Sequence, residues 1–415
     1  MFSKRLPWER PENPLARAER ARRASGRSIV DLTESNPTRV GLDYPDAELG
    51  AALAGAAAEP YQPAPLGLSA ARAAVARDYR DSGLAVDADR LTLTASSSES
   101  YALLFKLLCD PGDAVLVPEP SYPLFEYLAA LEGVKPIGYR LVYDGEWHVD
   151  FDSLAAAHTR AAAGGGRAAA LVVVNPNNPT GSFAGESDLA RLGELAAGAD
   201  LAVISDEVFA PYRFAGAGAG AGAGAAPPAC LALAPALCRG ALVFSLGGLS
   251  KACGLPQFKL GWILAGGPAA AVGTALTRLE LIADTYLSVG GPVQHALPRL
   301  LSLGAQIRAR ILERVRANRA ALRAAIPAGS PCSLLAAEGG WNAILRVPDL
   351  PGADGRPGDE QWALTLLAEA GVLVHPGHLF DMPAGAYLVV SLLPAPAVFL
   401  PAVAALIARC SHSVP

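Results

Sequence analysis

Lysine is scarce in this chain: Lys4, Lys106, Lys135, Lys251 and Lys259 are all that its 415 residues contain. Charge of either sign is thin, at 18% of residues, and the formal net charge is −5. Such a chain is poorly equipped to neutralise a run of phosphates, which argues against a nucleic-acid binder built on backbone contacts. Cysteine is sparse too, and Cys109, Cys230, Cys238, Cys253, Cys332 and Cys410 stand singly. No C-x-x-C pair offers zinc a ligand spacing, and no dense framework marks a secreted scaffold. The cysteines therefore read as reduced core thiols of a cytoplasmic protein, and no metal site is expected. The opening segment 1–27 is basic but lacks the apolar stretch of an export signal. Glu9, Glu12 and Glu19 interrupt it as a mitochondrial presequence, so it reads as a surface arm with a short helix. Two uncharged runs, 215–238 and 382–407, are broken by Pro227 and Pro228 and by Pro383, Pro394, Pro396 and Pro401. Neither is expected to cross a membrane.

Apolar residues are abundant, at 52%, and the length exceeds what one core usually holds, so two domains are expected. Between about 70 and 290, helical patterns alternate with short apolar runs. These are "LTLTAS" (91–96), "AVLVPEP" (114–120), "ALVVVNP" (170–176), "LAVISDE" (201–207), "ALVFSLG" (241–247) and "GWILAG" (261–266). Runs this short, rich in Val, Ile and Leu and closed by turn residues, read as buried strands of a mostly parallel α/β sheet. A long helical stretch follows near 291–325. After it, "GGWNAILRVP" and "AYLVVSLL" read as strands, with helices at 359–370 and 396–409. This change of texture predicts a smaller α/β domain shared with the arm. The runs at 215–226 and 161–170 are low in complexity and read as flexible surface insertions.

Ligands of an open α/β sheet bind at the carboxyl ends of its strands. The residues found there form a chemical set. Ser97 and Ser98 open a helix, where hydroxyls and free N–H groups make either an ordinary cap or a phosphate seat. Ser250 and Lys259 add a hydroxyl and a cation. Asp206 ends an apolar strand and either caps the next turn or holds a cation. Tyr122 lies between prolines and either stacks on a flat ring or is a turn aromatic. Asn178 precedes Pro179 in a tight turn. Lys251 sits between Ser250 and a Cys-Gly-Leu-Pro turn, where burial would release a nucleophilic amine.

Eight stretches in order carry a resemblance: "SNPT" (35–38), "YQPAPLGLSAARAAVARDY" (61–79), "TASSSES" (94–100), "PEPSYPLF" (118–125), "NPNNPTG" (175–181), "SDEVF" (205–209), "LSKACGLPQFKLGW" (249–262) and "GVLVHPGHLFD" (371–381). In these the chain resembles the class I/II, fold-type I pyridoxal-phosphate-dependent aminotransferases. The resemblance implies a large domain with a mostly parallel sheet over 46–290, a small domain over 291–415, and an arm, 1–45, joined to the latter. It implies ping-pong exchange of an amino group between an amino acid and a 2-oxo acid. Lys251 would bind pyridoxal phosphate and move the proton, and Asp206 would pair with the ring nitrogen. Asn178 would bond the ring oxygen, and Tyr122 would stack on the ring. Ser97, Ser98, Ser250 and Lys259 would hold the phosphate, and Tyr61 would reach it from the other subunit of a homodimer.

Some positions depart from the family pattern. Phe209 replaces a tyrosine that would bond the ring oxygen. Lys259 replaces an arginine, keeping charge without the bidentate fork. Gly248 replaces a common phosphate-binding serine. Val389 stands where an arginine would bind the substrate carboxylate, and Arg39, beside "SNPT", is the expected substitute on a closing lid. A C–S lyase, a decarboxylase or a non-catalytic pyridoxal-phosphate-binding protein on the same fold remain alternatives.

Overall fold

The computed structural model describes residues 1–9, 12–214, 230–234, 237, 239–350, 352 and 355–411. The low-complexity run at 215–226 and Cys238 lie outside them. Helix α1 (Pro14–Ala24) is capped by Asn13, whose side chain accepts from the Leu15 N–H, with Pro14 at its first position. Strand β1 (Val30–Asp31) follows, then α2 (Asp46–Ala56) and α3 (Ser69–Asp81). The central layer begins with β2 (Leu91–Thr94), α4 (Ser97–Leu108), β3 (Ala114–Glu119) and α5 (Phe125–Leu131). It continues through β4 (Lys135–Tyr143), β5 (Trp147–Val149), α6 (Phe151–Ala163), β6 (Ala168–Val174), α7 (Glu186–Gly198) and β7 (Ala202–Asp206). It closes with β8 (Val243–Gly248), the short α8 (Leu249–Ala252), β9 (Gly261–Gly266) and α9 (Ala269–Tyr286).

These strands form one sheet in the order β2-β9-β8-β7-β6-β3-β4-β5. The run β8-β7-β6-β3-β4 is parallel, and β9 enters antiparallel between β2 and β8. All seven residues of β6 are buried, as a strand covered by helices on both faces requires. The six apolar runs expected in this region are all strands. β4 and β5 were not expected, because they lie at the sheet edge, where exposed positions such as Arg140, Val142 and Tyr143 dilute the apolar signal. The run 161–170 is a correction. It is no insertion but the end of α6, a tight turn at Gly164–Gly166 and the start of β6. The Arg167 N–H donates to Asp113 and the Lys135 ammonium to the Gly164 carbonyl, so both flanks are tied to the sheet.

The chain then runs through the 35-residue α10 (Gly291–Ala325) and into β10 (Ser333–Leu334), β11 (Asn342–Val347), α11 (Gly358–Thr365), β12 (Val372–Leu373), β13 (His375–Pro376), β14 (Ala386–Ser391) and α12 (Pro396–Ser411). Strands β10-β11-β14-β13 make a second, antiparallel sheet, and β1 from the arm pairs in parallel with β12. Helix α10 lies against the turn after α8 at Gly304, where a Cβ would come within 2.5 Å of the Cys253 Cβ. Only glycine permits that approach, two residues beyond Lys251. Among the described residues no helix is long and apolar enough to cross a membrane. No group of three or more His, Cys, Asp or Glu among them is placed to hold a metal ion.

Candidate active site

Strand alternation decides which acid enters the site. Asp206 and Glu207 are neighbours at the end of β7 and point to opposite faces. Glu207 turns into the core, accepts the Leu231 N–H at 2.6 Å, and is pushed by burial to a pKa of about 7. Asp206 keeps part of its surface open. Desolvation still raises its pKa to about 6, opposed by the Val208 N–H, the Tyr101 hydroxyl and Lys251. The Val208 N–H donates to Asp206 Oδ1 at 3.2 Å, and the Tyr101 hydroxyl donates to Oδ2 at 3.1 Å.

Lys251 rises from α8 directly after β8, so the β7 and β8 ends bring amine and carboxylate together. Burial lowers the lysine pKa, and the Asp206 charge pulls it back up. Aromatic rings wall the amine. Nζ lies 5.3 Å from the Trp341 ring centroid and 5.9 Å from that of Phe209, and those two rings meet edge-on at 5.1 Å. Tyr212 also packs edge-on against Trp341 at 5.0 Å, and its hydroxyl donates to the Lys251 carbonyl at 2.6 Å. The lysine backbone is thus pinned while its amine faces π surface and the Asp206 carboxylate.

The helix-opening serines sit slightly differently from the expected cap. Ser96 is the N-cap of α4, accepting the Glu99 N–H at 3.1 Å, while Glu99 reaches back to the Ala95 N–H. Ser97 and Ser98 are therefore the first two helical residues, half-buried, with N–H groups that the helix cannot satisfy. Ser250, half-buried, lies at the start of α8, and Lys259 is exposed in the left-handed region at φ 48°. Gly248 has a physical reason to lack a side chain: a Cβ there would meet Gly261 Cα at 3.1 Å and the Leu260 carbonyl at 3.2 Å.

Asn178 precedes a cis Pro179, and its Oδ1 accepts from Asn342 Nδ2 at 2.7 Å. Tyr122 is 49% exposed, beside Ser121, whose N–H donates to the Phe380 carbonyl. Tyr61 is 75% exposed and lines a surface cleft with Tyr286. Arg39 is exposed at the end of the turn Pro37–Arg39. Val389 is wholly buried, paired with Ile344 on one side and His375 on the other. The structure therefore brings Lys251 within electrostatic reach of Asp206 and beside Phe209, while Tyr61, Tyr122, Lys259 and Arg39 are exposed.

Sequence reasoning missed Tyr101, Trp341 and Asn342. For Tyr101 a signal existed, since it stands four residues after Ser97 and shares its helix face. Trp341 and Asn342 carry no local signal, because they reach the site from the second sheet.

The donor set fits an aldehyde-bearing, phosphorylated pyridine. A lysine with a lowered pKa suits the aldehyde, a half-enclosed carboxylate suits a ring nitrogen, and unsatisfied helix N–H groups with serines suit the phosphate. Comparison with known proteins points the same way. A family model described as aminotransferase class I and II matches residues 36–390. Glutamate-pyruvate aminotransferase AlaA of Haemophilus influenzae is 30% identical over 280 residues, 66% of this chain and 64% of that protein. The matched region thus spans just under two thirds of that relative's length. Alanine aminotransferase of Mycobacterium bovis is 29% identical over 376 residues, 89% of this chain and 83% of that protein. The solved alanine aminotransferase from Pyrococcus furiosus superposes with a TM-score of 0.83, covering 99% of this chain and 100% of that one. At 24% identity that likeness speaks to the fold alone.

Proposed function

The chain belongs to the class I and II aminotransferases, and from that membership we propose that it passes an amino group from an amino acid to a 2-oxo acid in a ping-pong cycle with pyridoxal phosphate. One observation carries this reading: a lysine whose pKa burial lowers stands opposite the Asp206 carboxylate at the adjoining ends of β7 and β8. Bound there, pyridoxal phosphate would supply an electron sink that lets nitrogen leave one carbon for another. Lys251 offers the amine that holds the cofactor and then moves a proton at Nζ. Asp206 keeps a proton on the ring nitrogen. The free amide hydrogens of Asn178 offer a donor to the ring oxygen, and the exposed ring of Tyr122 a stacking face. Ser97, Ser98, Ser250 and Lys259 form the anion seat.

The same reading makes the protein a cytoplasmic homodimer with Tyr61 reaching the neighbouring site. Support comes from the exposed Tyr61 and Tyr286 in one cleft and from the free cysteines Cys109, Cys230, Cys253, Cys332 and Cys410. It divides the chain into an arm (1–45), a large domain (46–290) and a small one (291–415), a division supported by the β1–β12 pairing. Arg39 is assigned the substrate carboxylate, since Val389 offers no charge.

Borohydride reduction of the cofactor-loaded enzyme followed by peptide mapping should label Lys251, and Lys251→Ala should abolish the trapped product. Label on another lysine would overturn the assignment. Stoichiometric exchange of amino and oxo acids is expected, and pyruvate plus ammonia would indicate a lyase instead. In the same assay Arg39→Ala should raise KM for the best amino donor and leave cofactor binding intact.

A further inference from the structure

Helix α4 does two things that the proposed function treats separately. Its first turn presents Ser97 and Ser98 to an anion, and one turn later it presents Tyr101 on the same face. Tyr101 is buried, at 3% exposure. Its ring is held edge-on against Phe125 at 5.4 Å and tilted against Phe105 at 5.9 Å. A ring gripped on two sides has little freedom to turn, and its hydroxyl ends 3.1 Å from Asp206 Oδ2.

We infer that Tyr101 is a positioning residue that keeps Asp206 ionised and aimed at the cofactor ring nitrogen. The inference rests on the functional reading above. A carboxylate can hold a proton on a pyridine nitrogen only while it remains the weaker base of the two. Burial works against this by favouring the neutral acid. A phenol donating to the carboxylate stabilises its charge, as does the Val208 N–H on the other oxygen. Lys251 is the charged group that faces Asp206, and Tyr139 on β4 faces Tyr101. Because Tyr101 and the serine turn share one helix, the phosphate seat and the nitrogen partner keep a fixed separation.

Tyr101→Phe removes the donor and keeps the packed ring, so the chain should fold. In the holoenzyme the dissociation constant for pyridoxal phosphate should rise about tenfold, the scale of a hydrogen bond to a charged group. The NMR shift of cofactor labelled with 15N at the ring should move toward the unprotonated nitrogen. Replacing Tyr101 by 3,5-difluorotyrosine, a more acidic phenol, should move both readings the other way. In an Asp206→Asn background Tyr101→Phe should change nothing further. Wild-type affinity and shift in Tyr101→Phe would overturn the inference. So would an equal loss in both backgrounds, which would mean that the hydroxyl acts through something other than Asp206. Should wild-type protein bind no cofactor, the functional reading fails instead. The effect on Asp206 can then still be judged from its carboxyl titration, by 13C NMR, in wild type and Tyr101→Phe. A carboxyl pKa unchanged by the substitution would refute the inference there too.

Discussion

A half-enclosed amine and carboxylate oppose each other's burial. Desolvation pushes Asp206 toward the neutral acid and Lys251 toward the neutral amine, while their mutual attraction favours both charges. Small changes in hydrogen bonding around the pair therefore have large effects on its protons. Phe209 is the clearest case. It is buried, packs edge-on against Trp341, and brings a π face rather than a hydroxyl toward Lys251. Phe209→Tyr should supply a donor for the ring oxygen and lower the pKa of the cofactor-bound Lys251 nitrogen by about one unit, given the ~1.5–3 kcal/mol of a charged hydrogen bond. Spectral titration measures this directly, and an unchanged or raised pKa would sink the claim. At this scale Lys251, Asp206 and Asn178 draw attention in the sequence because each sits in a short string whose local chemistry needs explaining. Tyr101 was hidden by its ordinary role as a core aromatic, and only the fold shows where its hydroxyl lands. Asn342 was illegible, since its partner Asn178 is 164 residues away.

Elements stand where small polar clamps hold them. The buried Asp359 at the start of α11 accepts the His378 N–H at 2.6 Å, and its Oδ1 meets the imidazole Nδ1 at 3.2 Å. This clamp fixes the segment Gly377–Phe380, whose Phe380 carbonyl in turn accepts from Ser121 beside Tyr122. The hydrogen bond to Asp359 raises the His378 pKa; burial opposes it, and the charges of Asp359, Glu360 and Asp381 reinforce it. A folded-state pKa above the unfolded value means that the charged imidazole stabilises the fold. That contribution is fully present below the unfolded pKa of about 6.5 and is lost as pH rises through the folded value. His378→Gln should therefore lower Tm more at pH 5.5 than at pH 9, by about 1–2 °C for a partly exposed pair. A Tm loss equal at both pH values would rule the clamp out as an ionic one. The long helix α10 was legible from its pattern as a helical stretch near 291–325. The edge strands β4 and β5 were not, because a strand that is exposed in part writes a weak apolar signal.

The molecule as a whole joins two sheets through one long helix, and its arm returns to the far end of the chain. If Tyr61 serves the neighbouring site, two damaged chains should repair each other. Lys251→Ala paired with Tyr61→Ala in one hybrid dimer leaves one site with both residues intact. Coexpression should therefore yield more activity than either parent alone, and a dimeric mass in solution should accompany it. No gain over the parents would refute shared sites. The fold class was legible at this scale because six buried strands announced themselves in order. That the arm joins the small domain was expected, but the β1–β12 pairing that joins them was not legible, because the two strands are two residues each and lie 342 positions apart, from Val30 to Val372. That pairing also sets a timetable. Ribosomes add about 5–20 residues per second, so Val30 waits roughly 20–70 s for its partner to be made. The strands from Leu91 to Gly266 are all complete before then. Each new chain thus spends an interval with its central sheet available and its arm undocked. The arm, among the earliest parts of the chain to be made, is thus fastened only after the central sheet is complete.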